Sequence, residues 1–114
     1  MATRYYLSLP EPARARGSDP HLSFTAQGAE EFARQLQEAL RDDALFQRWR
    51  DMQDDPDAVD PALGATDPEA SVRGEQDDLH IDLIAVTSIP GSVLRHRLRL
   101  LAGNEWELRD VSKG

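Results

Sequence analysis

The sequence predicts an α+β fold: an N-terminal strand, one long or broken helix, and an antiparallel sheet that ends in a three-stranded meander. Three observations carry this. Apolar residues alternate with polar ones near both ends of the chain, the two-residue period of a half-buried strand. Between them, Ala29, Phe32, Ala33, Leu36, Ala39 and Leu40 recur at spacings of three and four, the period of an amphipathic helix. Turn-forming residues, Pro90-Gly91 and Gly103-Asn104, punctuate the last third. At 114 residues the chain has the length of a single domain, residues 1–114.

"RYYLSLP" places Tyr5, Leu7 and Leu9 on one face and Arg4, Tyr6 and Ser8 on the other, and Pro10 ends the strand. Residues 11–20 hold two further prolines and no periodicity, which predicts a loop. "HLSF" fits a short second strand with Leu22 and Phe24 pointing one way. Thr25 is a candidate N-cap for the helix that follows, with Glu30 and Glu31 near its positive end. Leu45, Trp49 and Met52 continue the stripe, but at ~100° per residue they fall roughly opposite Leu36. A break at Asp42-Asp43 resolves this, either aspartate capping a second helix over about residues 44–52. The alternative is one long helix whose second half meets another surface.

Charge is distributed unevenly. From Asp51 to Asp78 there are ten carboxylates and one cation, Arg73, a local charge of −9 in a chain of net charge −8. Residues 53–78 therefore read as an acidic, loop-like excursion, within which "DPAL" and "DPEA" fit single helical turns opened by Asp-Pro.

"LHIDLIAVTS" is the clearest strand, with Leu79, Ile81, Leu83 and Ala85 on one face. "VLRHRLRLLA" alternates Leu94, His96, Leu98 and Leu100 with Arg95, Arg97, Arg99 and Leu101. Leu94, Leu98 and Leu101 also fit a helix face, but the flanking turn signals favour a strand. A three-residue loop, Ala102 to Asn104, then pairs Leu100 with Trp106, Leu98 with Leu108, Arg99 with Glu107 and Arg97 with Arg109. This register predicts a solvent-facing sheet surface carrying Arg95, Arg97, Arg99 and Arg109.

These patterns limit function. No cysteine is present, which removes disulfides, thiol catalysis and Cys-ligated zinc. No apolar run spans a membrane, and the first residues lack the core of a secretory signal, so the expected location is cytoplasmic. The acidic balance argues against nucleic acid as a partner. His80 and Asp82 share a strand face and offer two metal ligands, fewer than a site needs. The aspartates after Asp51 fail the EF-hand spacing, since position 6 would be Pro56 or Asp60. No phosphate loop or nucleophile elbow occurs, so no catalytic residue, metal or cofactor is assigned.

The leading expectation is a non-enzymatic protein-binding, adaptor or inhibitor protein. Its candidate contacts are Asp54, Asp55, Asp57 and Asp60 of the acidic segment, acting as nucleic-acid mimics in one variant, and Arg95, Arg97, Arg99 and Arg109. A small enzyme or ligand binder with a pocket between helix and sheet is the alternative. An anion or RNA reader using the arginine face ranks last.

Overall fold

Alternation places the N-terminal strand, β1 (Thr3–Leu9), at the heart of a four-stranded antiparallel sheet. The computed structural model describes residues 2–114. After β1 come α1 (Ala29–Arg41), α2 (Ala44–Asp51), β2 (Ser71–Asp77), β3 (His80–Thr87), α3 (Gly91–Ala102) and β4 (Glu107–Lys113). The strands lie in the order β2-β3-β1-β4. Each of the units β1-α1-β2 and β3-α3-β4 thus encloses one strand of the other, the split βαβ topology.

The pleat decides the two faces. Tyr5, Leu7 and Leu9 pair across with Ala85, Leu83 and Ile81, and all six are buried. Phe32, Leu36 and Leu40 of α1 and Leu94, Leu98 and Leu101 of α3 join them in one core. At β4 the register slips by one residue between Tyr6 and Leu7, which keeps Leu108 and Val111 opposite Leu7 and Tyr5.

The helical stripe divides at Asp42–Asp43 as its phase requires, giving α1 and α2. Asp42 accepts a hydrogen bond from Ala44 N at 3.0 Å. Thr25 does not cap α1; Gly28 occupies that position without a side-chain bond. Thr25 instead binds Gln35, its amide donating to Oε1 at 3.0 Å and its hydroxyl accepting from Nε2 at 2.8 Å. "HLSF" forms a turn rather than a strand. Leu22 and Phe24 are buried, yet Phe24 N donates to Leu101 O at the end of α3, at 2.8 Å, and not to a neighbouring strand.

The largest correction concerns residues 91–102. They form helix α3, so the expected middle strand of the meander and its pairings with 105–111 do not exist. Val93, Leu94, Arg97, Leu98, Leu101 and Ala102 are buried together, a helical stripe with Arg97 at its centre. Pro90 precedes the helix and Gly103, at φ 64°, ends it, the usual pair of helix boundaries. β4 pairs with β1 instead.

The acidic excursion is also more ordered than a loop. Its last residues are the edge strand β2, and Pro56–Ala58 and Pro61–Gly64 are single 3-10 turns, the second capped by Asp60, which accepts from Ala62 N at 2.9 Å. The hairpin from β2 to β3 turns at Asp78 and Leu79, with Asp78 at φ 56°, a conformation aspartate tolerates.

Candidate functional site: an open sheet face

The molecule measures 43 × 32 × 19 Å, so its short dimension holds about two layers of ~10 Å each. α1 and α3 cover one face of the sheet, and the opposite face lies open to solvent. Cross-strand registers order that face into rows. Arg73, Ile84, Tyr6 and Asp110 form one row; Ser71, Val86, Arg4 and Ser112 lie on one side of it, and Glu75, Asp82, Ser8 and Glu107 on the other. Asp77 and His80 extend the last side by one more pair.

The chemistry of this face is segregated. Tyr6, Ile84 and Val86 make a half-buried apolar centre. Arg4 and Arg73 border a hollow of about 340 Å³ whose lining includes Ile84, Val86 and Ser71. Among the described residues, neither arginine has a carboxylate within ion-pair distance. The other end is acidic: Glu75, Asp77, Asp82 and Glu107, with His80 Nε2 at 3.4 Å from Asp82 and 3.8 Å from Asp77. Leu79 stands exposed at the tip of the hairpin beside them.

His80, Asp77 and Asp82 each offer one ligand atom, all within 4.8 Å of one another. The pair His80 and Asp82 was legible from strand parity; Asp77 joins through the hairpin register. Three ligands, Asp77 exposed and His80 and Asp82 half-buried, fall short of the closed four-ligand shell of a structural zinc.

The residues singled out from sequence do not assemble into one site. Arg95 and Arg99 are exposed on α3, and Arg109 lies on β4, paired with Glu107 at 2.8 Å. The sheet surface expected to carry these arginines is absent, because the segment that bears three of them is helical. Arg97 is fully buried. Its guanidinium donates to Ala39 O at 2.7 Å, to Leu63 O at 3.0 Å and to Ala65 O. Ala39 lies in the last turn of α1, where carbonyls lack intrahelical donors and the dipole favours a cation. Arg97 therefore caps α1 from another helix and ties the 61–65 turn to it. Burial lowers its proton affinity, with Asp43 and Asp42 acting in the opposite sense, yet an arginine stays charged in a protein.

Two further polar side chains hold the fold together. Asp67 Oδ2 accepts from Thr87 Oγ1 and Ser88 N, both at 2.9 Å, and Oδ1 accepts from Glu69 N at 3.0 Å. The Ser88 amide chiefly, then the Thr87 hydroxyl and Glu69 amide, outweigh burial and hold its carboxyl below the usual range. His96 packs edge-on to Trp49 at 4.4 Å between ring centroids. Burial first, then Arg97 and Arg99, push its imidazole below the ordinary value.

Of the acidic candidates, Asp54 and Asp55 are exposed, Asp57 pairs with Arg50 at 3.3 Å, and Asp60 is committed to its turn. Sequence reasoning missed Arg4, Arg73, Ile84 and Val86 as one surface: the outward parity of Arg4, Ile84 and Val86 was readable, but Arg73 lies in β2, within the segment read as a loop. No known protein family, curated protein or solved structure matches the chain.

Proposed function

We propose that the protein is a non-enzymatic binding module that meets a second protein surface with the open face of its sheet. The observation that supports this is the apolar group of Tyr6, Ile84 and Val86, which shares two rows of the face with two unpaired arginines and borders a row of carboxylates. Such a group loses water on docking, and charges of both signs around it fix orientation. The partner surface must then carry an apolar patch with acidic groups on one side and basic groups on the other. RNA is a poor fit. Sheets that read RNA stack bases on several aromatic side chains; here, among the described residues, Tyr6 is the one Phe, Tyr or Trp on the face, and carboxylates surround His80 at the other end. Asp67, His96 and Arg97, whose proton affinities are shifted, hold loops and packing together rather than converging on a cleft.

A second contact is favoured by the exposure of Asp54, Asp55 and Asp57 on a segment that Arg97 helps to hold in shape. In that reading the segment captures a basic protein cleft, and capture is lost when Asp54, Asp55 and Asp57 become asparagine.

The absence of native cysteine makes the sheet face directly testable. Ser71→Cys places a cross-linker on the face, and Glu30→Cys places one on the solvent side of α1. Adducts from Ser71→Cys that Glu30→Cys does not give are expected in lysate. Equal labelling from both positions would remove the reading.

A further inference from the structure

We infer that the occupant of this face is a second copy of the same chain, packed sheet to sheet about a two-fold axis. The inference rests on the binding role proposed for the face and adds the identity of the partner. Its basis is self-complementarity. An interface between identical copies must pair each feature of a patch with another feature of that same patch. The open face carries the unpaired Arg4 and Arg73 toward one end and Glu75, Asp77 and Asp82 toward the other, so a half-turn can superpose opposite charges.

The registers define the half-turn. Residues Arg73, Ile84 and Tyr6 share one row, and Glu75, Asp82 and Ser8 the next. An axis in the interface plane, running across the strands between these rows, exchanges them. Arg73 of each copy then lies over Glu75 of the other. The same operation sets Ile84 over Asp82 of the other copy and Tyr6 over Ser8, with each Ile84 one row from its own counterpart. Arg4, one row further out, comes within a long side chain's reach of Asp82. At the β4 edge Asp110 falls opposite Glu107, which Arg109 already neutralises at 2.8 Å. Strands of the two copies run antiparallel, and the twist of each sheet rotates them by roughly 30° as in aligned sheet packing.

Size sets the strength. Four strands about 4.8 Å apart, each roughly seven residues at 3.3 Å, give a face of about 440 Å² in projection. Standard interfaces bury ~800 Å² per partner, so this dimer is weak and depends on concentration. The hollow between Arg4 and Arg73 then has an occupant: the carboxylates of the opposing copy.

Light scattering on the purified chain over a wide concentration range tests this, together with two charge reversals on the exposed strand β2. The parent is expected to pass from monomer to dimer mass as concentration rises. Arg73→Glu and Glu75→Arg each set like charges against one another and weaken self-association by about tenfold. Mixing the two variants restores it, because each reversed residue then meets its opposite; a merely structural role for either residue gives no such rescue. A chain that stays monomeric, or a dimer indifferent to both reversals, overturns the inference. If the chain stays monomeric while Ser71→Cys still cross-links a different protein, the second copy is wrong and the binding face stands. If neither occurs, both fall.

Discussion

Replacing Arg97 tests how the buried half of the molecule is held together. Its guanidinium is shielded from water and donates to three carbonyls. Hydrogen bonds from a charged donor are worth about 1.5–3 kcal/mol each, so three contribute roughly 5–9 kcal/mol. Desolvating an ion costs several kcal/mol, which cancels most of that gain. The outcome of a substitution is therefore governed by what it leaves behind. Arg97→Met keeps most of the apolar volume and removes the charge. Leu63 and Ala65 lie in a half-buried turn and regain water if it lifts, whereas Ala39 O stays enclosed at the end of α1. One stranded buried carbonyl plus the lost tether costs ~2–3 kcal/mol. Arg97→Ala adds a cavity and reaches about 4–5 kcal/mol. Urea unfolding gives these differences as midpoint shifts, and hydrogen exchange should show amides of the 61–65 turn losing protection before the sheet does. An Arg97→Met variant as stable as the parent would overturn this account of the tether, since the buried ion would then have been a net cost.

Other substitutions probe the remaining tethers. The hydrogen-bonded Asp67 carboxyl has a folded pKa below its unfolded value, so its stabilisation is present above about pH 4 and is lost as pH falls through the lowered value. Asp67→Ala should cost about 2–4 kcal/mol near neutrality and flatten the acid limb of a pH–stability curve; an unchanged acid limb would speak against the assignment. For His96 the folded pKa also lies below the unfolded 6.5. Stability is full above that value and declines as pH drops below it, because the unfolded chain takes up the proton first. His96→Phe keeps a ring against Trp49 and should remove the slope that sets in as pH falls below about 6.5 in thermal melts. At Gly17 an added Cβ would lie 2.0 Å from Leu100 O, so Gly17→Ala must displace the loop that caps α3. A loss of ~1–3 kcal/mol in denaturant unfolding is expected, and an unaltered midpoint would show that the loop gives way freely.

Much of the fold was legible because burial imposes a period on sequence. The alternation in 3–9 and 79–87 gave two strands with Tyr5, Leu7, Leu9, Ile81, Leu83 and Ala85 inward as found, although Leu79 lies exposed in the hairpin turn, and the phase jump after Leu40 gave the break between α1 and α2. The segment 91–102 misled because arginine is normally an outward residue. With Arg97 assigned to solvent, Arg95, Arg97 and Arg99 alternate with leucine and imitate a strand. With Arg97 assigned to the core, Val93, Leu94, Leu98 and Leu101 complete a helical stripe, and Pro90 and Gly103 become its boundaries rather than two turns. What makes a buried arginine tolerable is the unsatisfied end of α1 and the carbonyls of the 61–65 turn, partners tens of residues away that no local pattern contains. The same holds for Asp67, which reads as one more aspartate before proline until Thr87 and Ser88 are brought to it. The open face was hidden differently: Arg4, Arg73 and Ile84 come together only when the strand order is known.

The proposed function depends on the open face, and a dilution series of two-dimensional amide NMR spectra tests that face residue by residue. Concentration-dependent shifts are expected at Arg4, Tyr6, Arg73, Glu75, Ile84 and Val86, with the solvent sides of α1 and α3 unmoved. Shifts confined to residues 51–60, or to exposed positions of α3 such as Arg95 and Arg99, would place the contact elsewhere and remove the sheet face from function.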